Sequence, residues 1–219
     1  MTEIDHFLYG TSDLDRAVAH FENETGLKAI AGGRHENYGT RNALIGLDQT
    51  TYFEILAPDP EQADNVGASP MLRALPEDGL IAWCARSPDL EALAKCHTTL
   101  DNRRRIGPTE WRRLRSDGEP IEWRLLHVEA GDIGALQPFF IDWGDVAHPT
   151  ASLEPQGALK KFHLETPYRE SLSKAMHAAD LTIDIQDSEQ NGMELIIDTG
   201  SKTVTLRSPA QMPPQMLPE

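Results

Sequence analysis

GGRHENYGTRNALIGLDQTTYFEILAP, from Gly32 to Pro58, is the stretch that decides how this chain folds. A polar entry punctuated by glycines runs into two apolar segments of strand length, Arg41 to Leu47 and Thr51 to Ala57. The second segment carries a single acid, Glu54, inside an otherwise apolar run, and an acid placed there requires a partner. His6, in the apolar segment IDHFLYG, is the most economical one. Strand alternation puts His6 on the face of Ile4 and Leu8, and Glu54 on the face of Tyr52 and Leu56.

On the N-terminal side, Ile4 to Gly10 reads as a buried strand, and TSDLD offers Ser12 as an N-cap with Asp15 three positions on. Leu14, Ala17, Val18 and Phe21 then share one helical face, and Gly26 is a suitable stop. With a strand at about Lys28 to His35, residues 1–58 form a βαβββ module. Residues 59–79, rich in Pro, Asp and Gly, form a linker with room for one short helix around Met71 to Leu75.

The same order recurs over residues 80–148. Strand LIAWCAR is followed by Ser87-Pro88 as cap and first turn, then by a helix with Leu90, Leu93, Ala94 and His97 on one face. Strands follow near Thr109 to Arg115, Ile121 to Glu129 and Pro138 to Trp143, the first two joined by the turn SDGEP. A third copy occupies residues 149–208, from ALKKFHLE through a helix carrying Leu172, Ala175, Met176 and Ala179 to LTIDIQD, MELIID and KTVTLRS. Recurrence of element order predicts an α+β protein made of repeated βαβββ modules. The closing PAQMPPQMLPE, residues 209–219, is expected to be extended or disordered.

Composition narrows the function classes. A net charge of -15 over 219 residues repels phosphate backbones and anionic membranes, which argues against nucleic acid and membrane partners. No apolar run approaches the roughly 18 residues of a membrane span, and MTEIDHF lacks the features of a signal peptide, so a cytoplasmic location is expected. Cys84 and Cys96 read as reduced, packed thiols. Seven of the fourteen arginines lie between Arg103 and Arg124. They form either a solvated hairpin with charge-protected edges or a clamp for the carboxylate or phosphate of a small molecule. No Gly-x-Ser-x-Gly elbow, HExxH, CxxC, GxGxxG or Walker spacing occurs, against the commoner hydrolases, zincins, redox proteins and nucleotide binders.

Paired βαβββ units with a His in the first strand and a Glu in the fourth resemble the vicinal oxygen chelate superfamily of glyoxalase I, extradiol dioxygenases and bleomycin-resistance proteins. Within it, the chain is similar to the glyoxalase-like domain family. DHFLYGTSDLDRAV (5–18), GGRHENYGTRNALIGL (32–47), TYFEILAPDP (51–60), SDGEPIEWRL (116–125) and FFIDWGDVAHPTASL (139–153) carry the resemblance. It implies that the first two modules pair their sheets into a half-open barrel around a cup. It also implies a divalent ion, Fe, Mn, Ni or Zn, held by side chains of first and fourth strands.

The residues give half of such a metal site firmly, His6 and Glu54, with Glu54 also a candidate base. Matching Asp13-Leu14 to Asp89-Leu90 places Ala82 opposite His6, while matching the caps places Ile81 there, and neither binds a metal. Asp142 is a fourth-strand ligand if IDW overlays FEI; the alternative register puts Ile141 there instead. His148, in the following loop, is a further candidate. Against the metal stands a His6–Glu54 pair satisfied by itself or by Arg41. His35, Thr40, Arg41 and Asn42 form either the rim of a binding site or a self-satisfied turn. Trp123, Arg124 and Trp143 are pocket candidates whose bland reading is core, as it is for His127 and His163.

Two functions follow. One is a metal-assisted lyase, isomerase or dioxygenase acting on a small, oxygen-rich and anionic metabolite. The other is a metal-free binding protein of the drug-sequestering type. An odd number of modules leaves one face unpaired, and a homodimer is the expected remedy.

Overall fold

A computed structural model describes residues 1–35, 38–100, 104–114 and 120–218. Three modules follow one another in the chain. The first comprises β1 (Glu3–Gly10), α1 (Leu14–Thr25), β2 (Ile30–His35), β3 (Thr40–Gly46) and β4 (Tyr52–Pro58). A short helix, α2 (Ser69–Arg73), interrupts the linker. The second module has β5 (Gly79–Arg86), α3 (Leu90–Leu100), β6 (Arg105–Leu114), β7 (Pro120–Val128) and β8 (Phe139–Asp142). The third has β9 (Ala158–Thr166), α4 (Arg169–Ala178), β10 (Asp184–Asp187), β11 (Gly192–Asp198) and β12 (Thr203–Arg207). The expected SDGEP turn as far as Glu119, and Arg103 and Arg115 of the arginine island, lie outside the described residues.

Local chemistry explains the helix starts. Asp13, rather than Ser12, caps α1, its carboxylate accepting from the Arg16 N–H at 3.1 Å. Asp89 does the same for the Ala92 N–H at 2.8 Å at the start of α3, so both helices begin on the same Asp-Leu pair. Gly26 ends α1 in the left-handed region at φ 77°, returning its N–H to the Glu22 carbonyl. Leu14, Ala17 and Phe21 are buried on one face of α1, a stripe whose burial contributes on the order of 1.5–3 kcal/mol for each large side chain.

The first two modules join in one ring, β1-β4-β3-β2-β6-β7-β8-β5. The half-open barrel is thus closed, though by a thin seam. β2 meets β6 through Arg34↔Leu114 and His35↔Arg113. At the opposite junction β1 and β5 run antiparallel, with His6↔Cys84 and Leu8↔Ala82. The two pairs are exchanged by the 76-residue offset between Leu14 and Leu90, so Ala82 rather than Ile81 is the counterpart of His6. The third module builds a separate sheet, β10-β9-β11-β12. Its Phe162 packs edge-on to Phe7 and Trp83, ring centroids 4.8 and 5.2 Å away, inside a core continuous with the barrel's outer layer.

The proline-rich tail is docked rather than loose. Gln215 accepts from the Ala130 N–H and donates to the Val128 carbonyl at 3.0 and 2.9 Å, and Met212 packs against the main core. Among the described residues no helix is long and apolar enough to cross a membrane.

Candidate functional site

A cavity opens into the barrel. The first module lines it with His6, Leu8, His35, Thr40, Asn42, Leu44, Tyr52, Glu54 and Leu56; the second with Trp111, Arg113, Trp123, Leu125, His127, Phe139, Ile141 and Trp143. Apart from Arg113 and His127 the second module's wall is apolar or aromatic. The cavity is therefore two-sided, with a polar face opposite an aromatic one, the form expected of small-molecule sites.

The polar face is organised by a bulge in β1. Between Ile4↔Ala85 and His6↔Cys84 the register slips, so Asp5 and His6 together oppose one residue of β5. A bulge cancels the alternation between neighbours, and the two side chains meet, Asp5 Oδ1 lying 2.6 Å from His6 Nδ1. Asp5 has no exposed surface. Its Oδ2 accepts from Trp143 Nε1 at 3.1 Å and lies 3.0 Å from His148 Nε2. Burial pushes the Asp5 carboxyl up, but the hydrogen bonds and charges of His148 and His6 outweigh it and hold the group well below the usual carboxylate range. An ionised carboxylate only accepts, so His6 Nδ1 and His148 Nε2 both carry protons. His148 Nδ1 then accepts from the Thr150 N–H at 3.3 Å.

His6 consequently turns Nε2 toward Glu54, whose Oε2 lies 3.5 Å away. The other carboxylate oxygen, Oε1, accepts from Asn42 Nδ2 at 2.8 Å, and Asn42 Oδ1 accepts from the Gly33 N–H at 2.8 Å. Tyr52 stacks on the His6 ring at 4.5 Å. Burial first, then the charges of Asp5 and Glu54, keep its hydroxyl protonated. His35 faces the cavity with Nδ1 2.8 Å from Thr40 Oγ1, its imidazole pushed down by burial against the opposing charge of Glu54. His127 stacks on Phe139 at 5.4 Å, and burial lowers it to about 4, so it is neutral at pH 7.

Of the residues expected at the site, His6, Glu54, His35, Thr40, Asn42, Trp123 and Trp143 are brought together. Arg41, Arg124 and Asp142 are not. Each alternates with an inward neighbour and points away, Arg41 to Asp15 at 3.4 Å and Arg124 to Glu91. Asp142 caps the Gly144 N–H at 2.9 Å, with Arg124 at 3.8 Å. By pairing, Leu8↔Glu54 corresponds to Cys84↔Phe139, so the counterpart of Glu54 is apolar Phe139 rather than Asp142 or Ile141. His148 reaches the site through Asp5. Asp5 and Arg113 escaped the sequence reading as individual site residues; an acid beside a histidine in an otherwise apolar strand was the available signal for Asp5.

The donors suit a metal at one place. His6 Nε2 and Glu54 Oε2 are separated by a distance that two metal–ligand bonds of roughly 2.0–2.2 Å can span, and Asp5 braces the far nitrogen of His6 as carboxylates behind metal-bound histidines do. Donor atoms of Asp5, His6 and Cys84 also lie within 4.8 Å of one another. That cluster reads as a brace, because Asp5 is already committed to three N–H groups and burial pushes the Cys84 thiol well above its ordinary pKa.

Comparison with known proteins bears on the fold and the family. A structure of a hypothetical protein from Staphylococcus aureus superposes with a TM-score of 0.68 at 18% identity, covering 98% of this chain and 88% of that one. Streptomyces coelicolor methylmalonyl-CoA epimerase, as a variant in complex with 2-nitronate-propionyl-CoA, gives a TM-score of 0.52 at 20% identity, covering 68% of this chain and 99% of that one. A methylmalonyl-CoA epimerase in complex with methylmalonyl-CoA and NH4+ gives the same TM-score, identity and coverage. These likenesses concern the fold, the vicinal oxygen chelate barrel. No curated protein matches in sequence. Residues 4–179 match the family model described as glyoxalase-like domain, and the chain therefore belongs to the glyoxalase-like domain family.

Proposed function

We propose that the protein is a metal-assisted isomerase or lyase that moves a proton on a small oxygen-bearing metabolite, with His6 and Glu54 holding a divalent ion. One observation carries the reading. With Nδ1 held by Asp5, His6 directs Nε2 at a carboxylate oxygen 3.5 Å away, and its lone pair is free for a metal whenever that nitrogen carries no proton. A histidine nitrogen and a carboxylate oxygen at that separation in a buried site are satisfied by a positive charge shared between them, and a divalent ion is the one this reading assigns. A divalent ion there supplies Lewis-acid stabilisation of charge developing on a substrate oxygen.

The chain's own residues do the rest. Asp5 fixes the tautomer and orientation of His6, Asn42 fixes the direction of Glu54, and the tryptophan wall excludes water from the reacting end of the substrate. Glu54 is the acid-base group nearest in kind to the task, since it is the one carboxylate among the described cavity residues. Two protein donors, rather than the three of a facial triad, favour isomerase or lyase chemistry over dioxygenase chemistry. Solved structures of the same fold include an epimerase.

The test is metal analysis of untagged protein together with a deuterium-exchange screen of small 2-oxo acids and thioesters by NMR. About one divalent ion per chain, lost in His6→Ala and Glu54→Ala, with exchange lost alongside it, is the expected result. A preparation that takes up no Mn, Co, Ni or Zn refutes it. It would favour the second reading, a metal-free binding protein in which a proton on His6 bridges to Glu54; the apolar residues Ala82 and Phe139 at the counterpart positions speak for that alternative.

A further inference from the structure

Arg113 lies on β6 opposite His35 at the seam that closes the barrel, and its side chain lines the cavity. It is 7% exposed, and among the described residues its Nη1 has no hydrogen-bond partner. The neighbouring arginine on β2, Arg34, is paired with Asp59 and Glu61. For Arg113 there is no such carboxylate among the described residues, and Glu54 directs its oxygens at Asn42 and His6 instead. A buried guanidinium left this way is costly unless something that enters the cavity compensates it.

The backbone keeps this corner clear. A Cβ on Gly32 would sit 2.1 Å from Asn42 Oδ1 and 3.2 Å from Arg113 Nη1. Any side chain at Gly32 would therefore displace the amide that orients Glu54 and crowd the guanidinium beside it. The absence of a side chain at Gly32 leaves room for both groups beside the same stretch of backbone.

We propose that Arg113 is the receptor for an anionic group of the substrate, and that this group is a carboxylate. The substrate class is then a small organic acid whose uncharged body lies against Trp111 and Trp123. A guanidinium matches a carboxylate with two parallel hydrogen bonds. A dianionic phosphate is disfavoured by Glu54 in the same cavity and by a net charge of -15. The proposal rests on reading this cavity as the substrate site, but not on the presence of a metal.

The test uses the full chain treated with EDTA, so that failure of metal binding at His6 and Glu54 leaves the outcome readable. Benzoate, benzamide and inorganic phosphate are titrated while the fluorescence of the cavity tryptophans is followed, in parallel with thermal melts. Benzoate is expected to bind at least about tenfold more tightly than benzamide, a preference of about 1.4 kcal/mol. Arg113→Met should abolish that preference and raise the melting temperature of the ligand-free protein, because an unpaired buried charge has been removed. Arg113→Lys should keep a weakened preference. Equal affinity for benzoate and benzamide, absence of anion binding, or a preference for phosphate overturns the proposal. So does a lower melting temperature in both variants, which would make Arg113 a structural residue.

Discussion

Replacing Asp5 by asparagine tests the brace beneath the site most directly. The carboxylate is fully buried and faces three N–H groups, on His6 at 2.6 Å, His148 at 3.0 Å and Trp143 at 3.1 Å. An amide of the same shape keeps one accepting oxygen and turns an NH2 toward at least one of those donors. A buried donor left unsatisfied costs roughly 1–3 kcal/mol, and hydrogen bonds to a charged acceptor are worth about 1.5–3 kcal/mol. A destabilisation on the order of 3 kcal/mol follows. For a chain of this length it corresponds to a fall in melting temperature of roughly 6–12 °C, expected as one transition because the core runs through all three modules. The Asp5→Asn substitution also loosens the hold on the His6 tautomer, and loss of such a partner typically costs roughly 10–100-fold in metal affinity. Thermal melts and calorimetric titration with Mn or Zn measure the two effects. A melting temperature within about 3 °C of the parent, with metal affinity unchanged, would refute both the ionised state of Asp5 and its role behind His6.

Two further outcomes are expected. His127, lowered to about 4 by burial against an unfolded value near 6.5, is neutral in the native state, so the unfolded chain binds the extra proton in that window. Stability is therefore lost as pH falls from about 6.5 to 4, by up to roughly 1.4 kcal/mol per pH unit; urea unfolding at pH 7 and pH 5 should show His127→Phe, which keeps the stack on Phe139, reducing that loss, and an unchanged pH dependence would refute the assignment. The tail places Met216 in the cavity lining and against the cluster of Leu8, Leu56, Leu72 and Ile81. Ending the chain at Pro209 should uncover that cluster and increase binding of a hydrophobic fluorescent dye, whereas unchanged dye binding would mean that the tail does not cover it.

Much of the fold was legible because it is built from local signals. Asp13-Leu14 and Asp89-Leu90 each start a helix, Gly26 stops one, and Asn42 and Glu54 face inward by a two-residue period that needs no knowledge of the partner strand. The site was less legible, partly from reading residue types without that period. Arg41 stands beside Asn42, Trp123 beside Arg124 and Asp142 beside Trp143, and residue type alone makes both members of each pair candidates. Neighbours in a regular strand face opposite ways, and in each pair one residue turns in and one turns out. The docking of the tail depends on contacts with distant parts of the chain, which composition does not report.

What the sequence by itself determined is the succession of βαβββ modules, the acid buried at Glu54 and its histidine partner. What only the tertiary structure decided is the chemistry around them. A bulge exists only in relation to the strand it is paired with, so nothing in IDHFLYG announces that Asp5 turns to the same side as His6. The seam between β2 and β6 decides that Arg113 and Asn42 both lie beside the bare backbone of Gly32. Strand periodicity is written in a few neighbouring residues; register, bulges and barrel closure are set by pairings between segments about 80 residues apart.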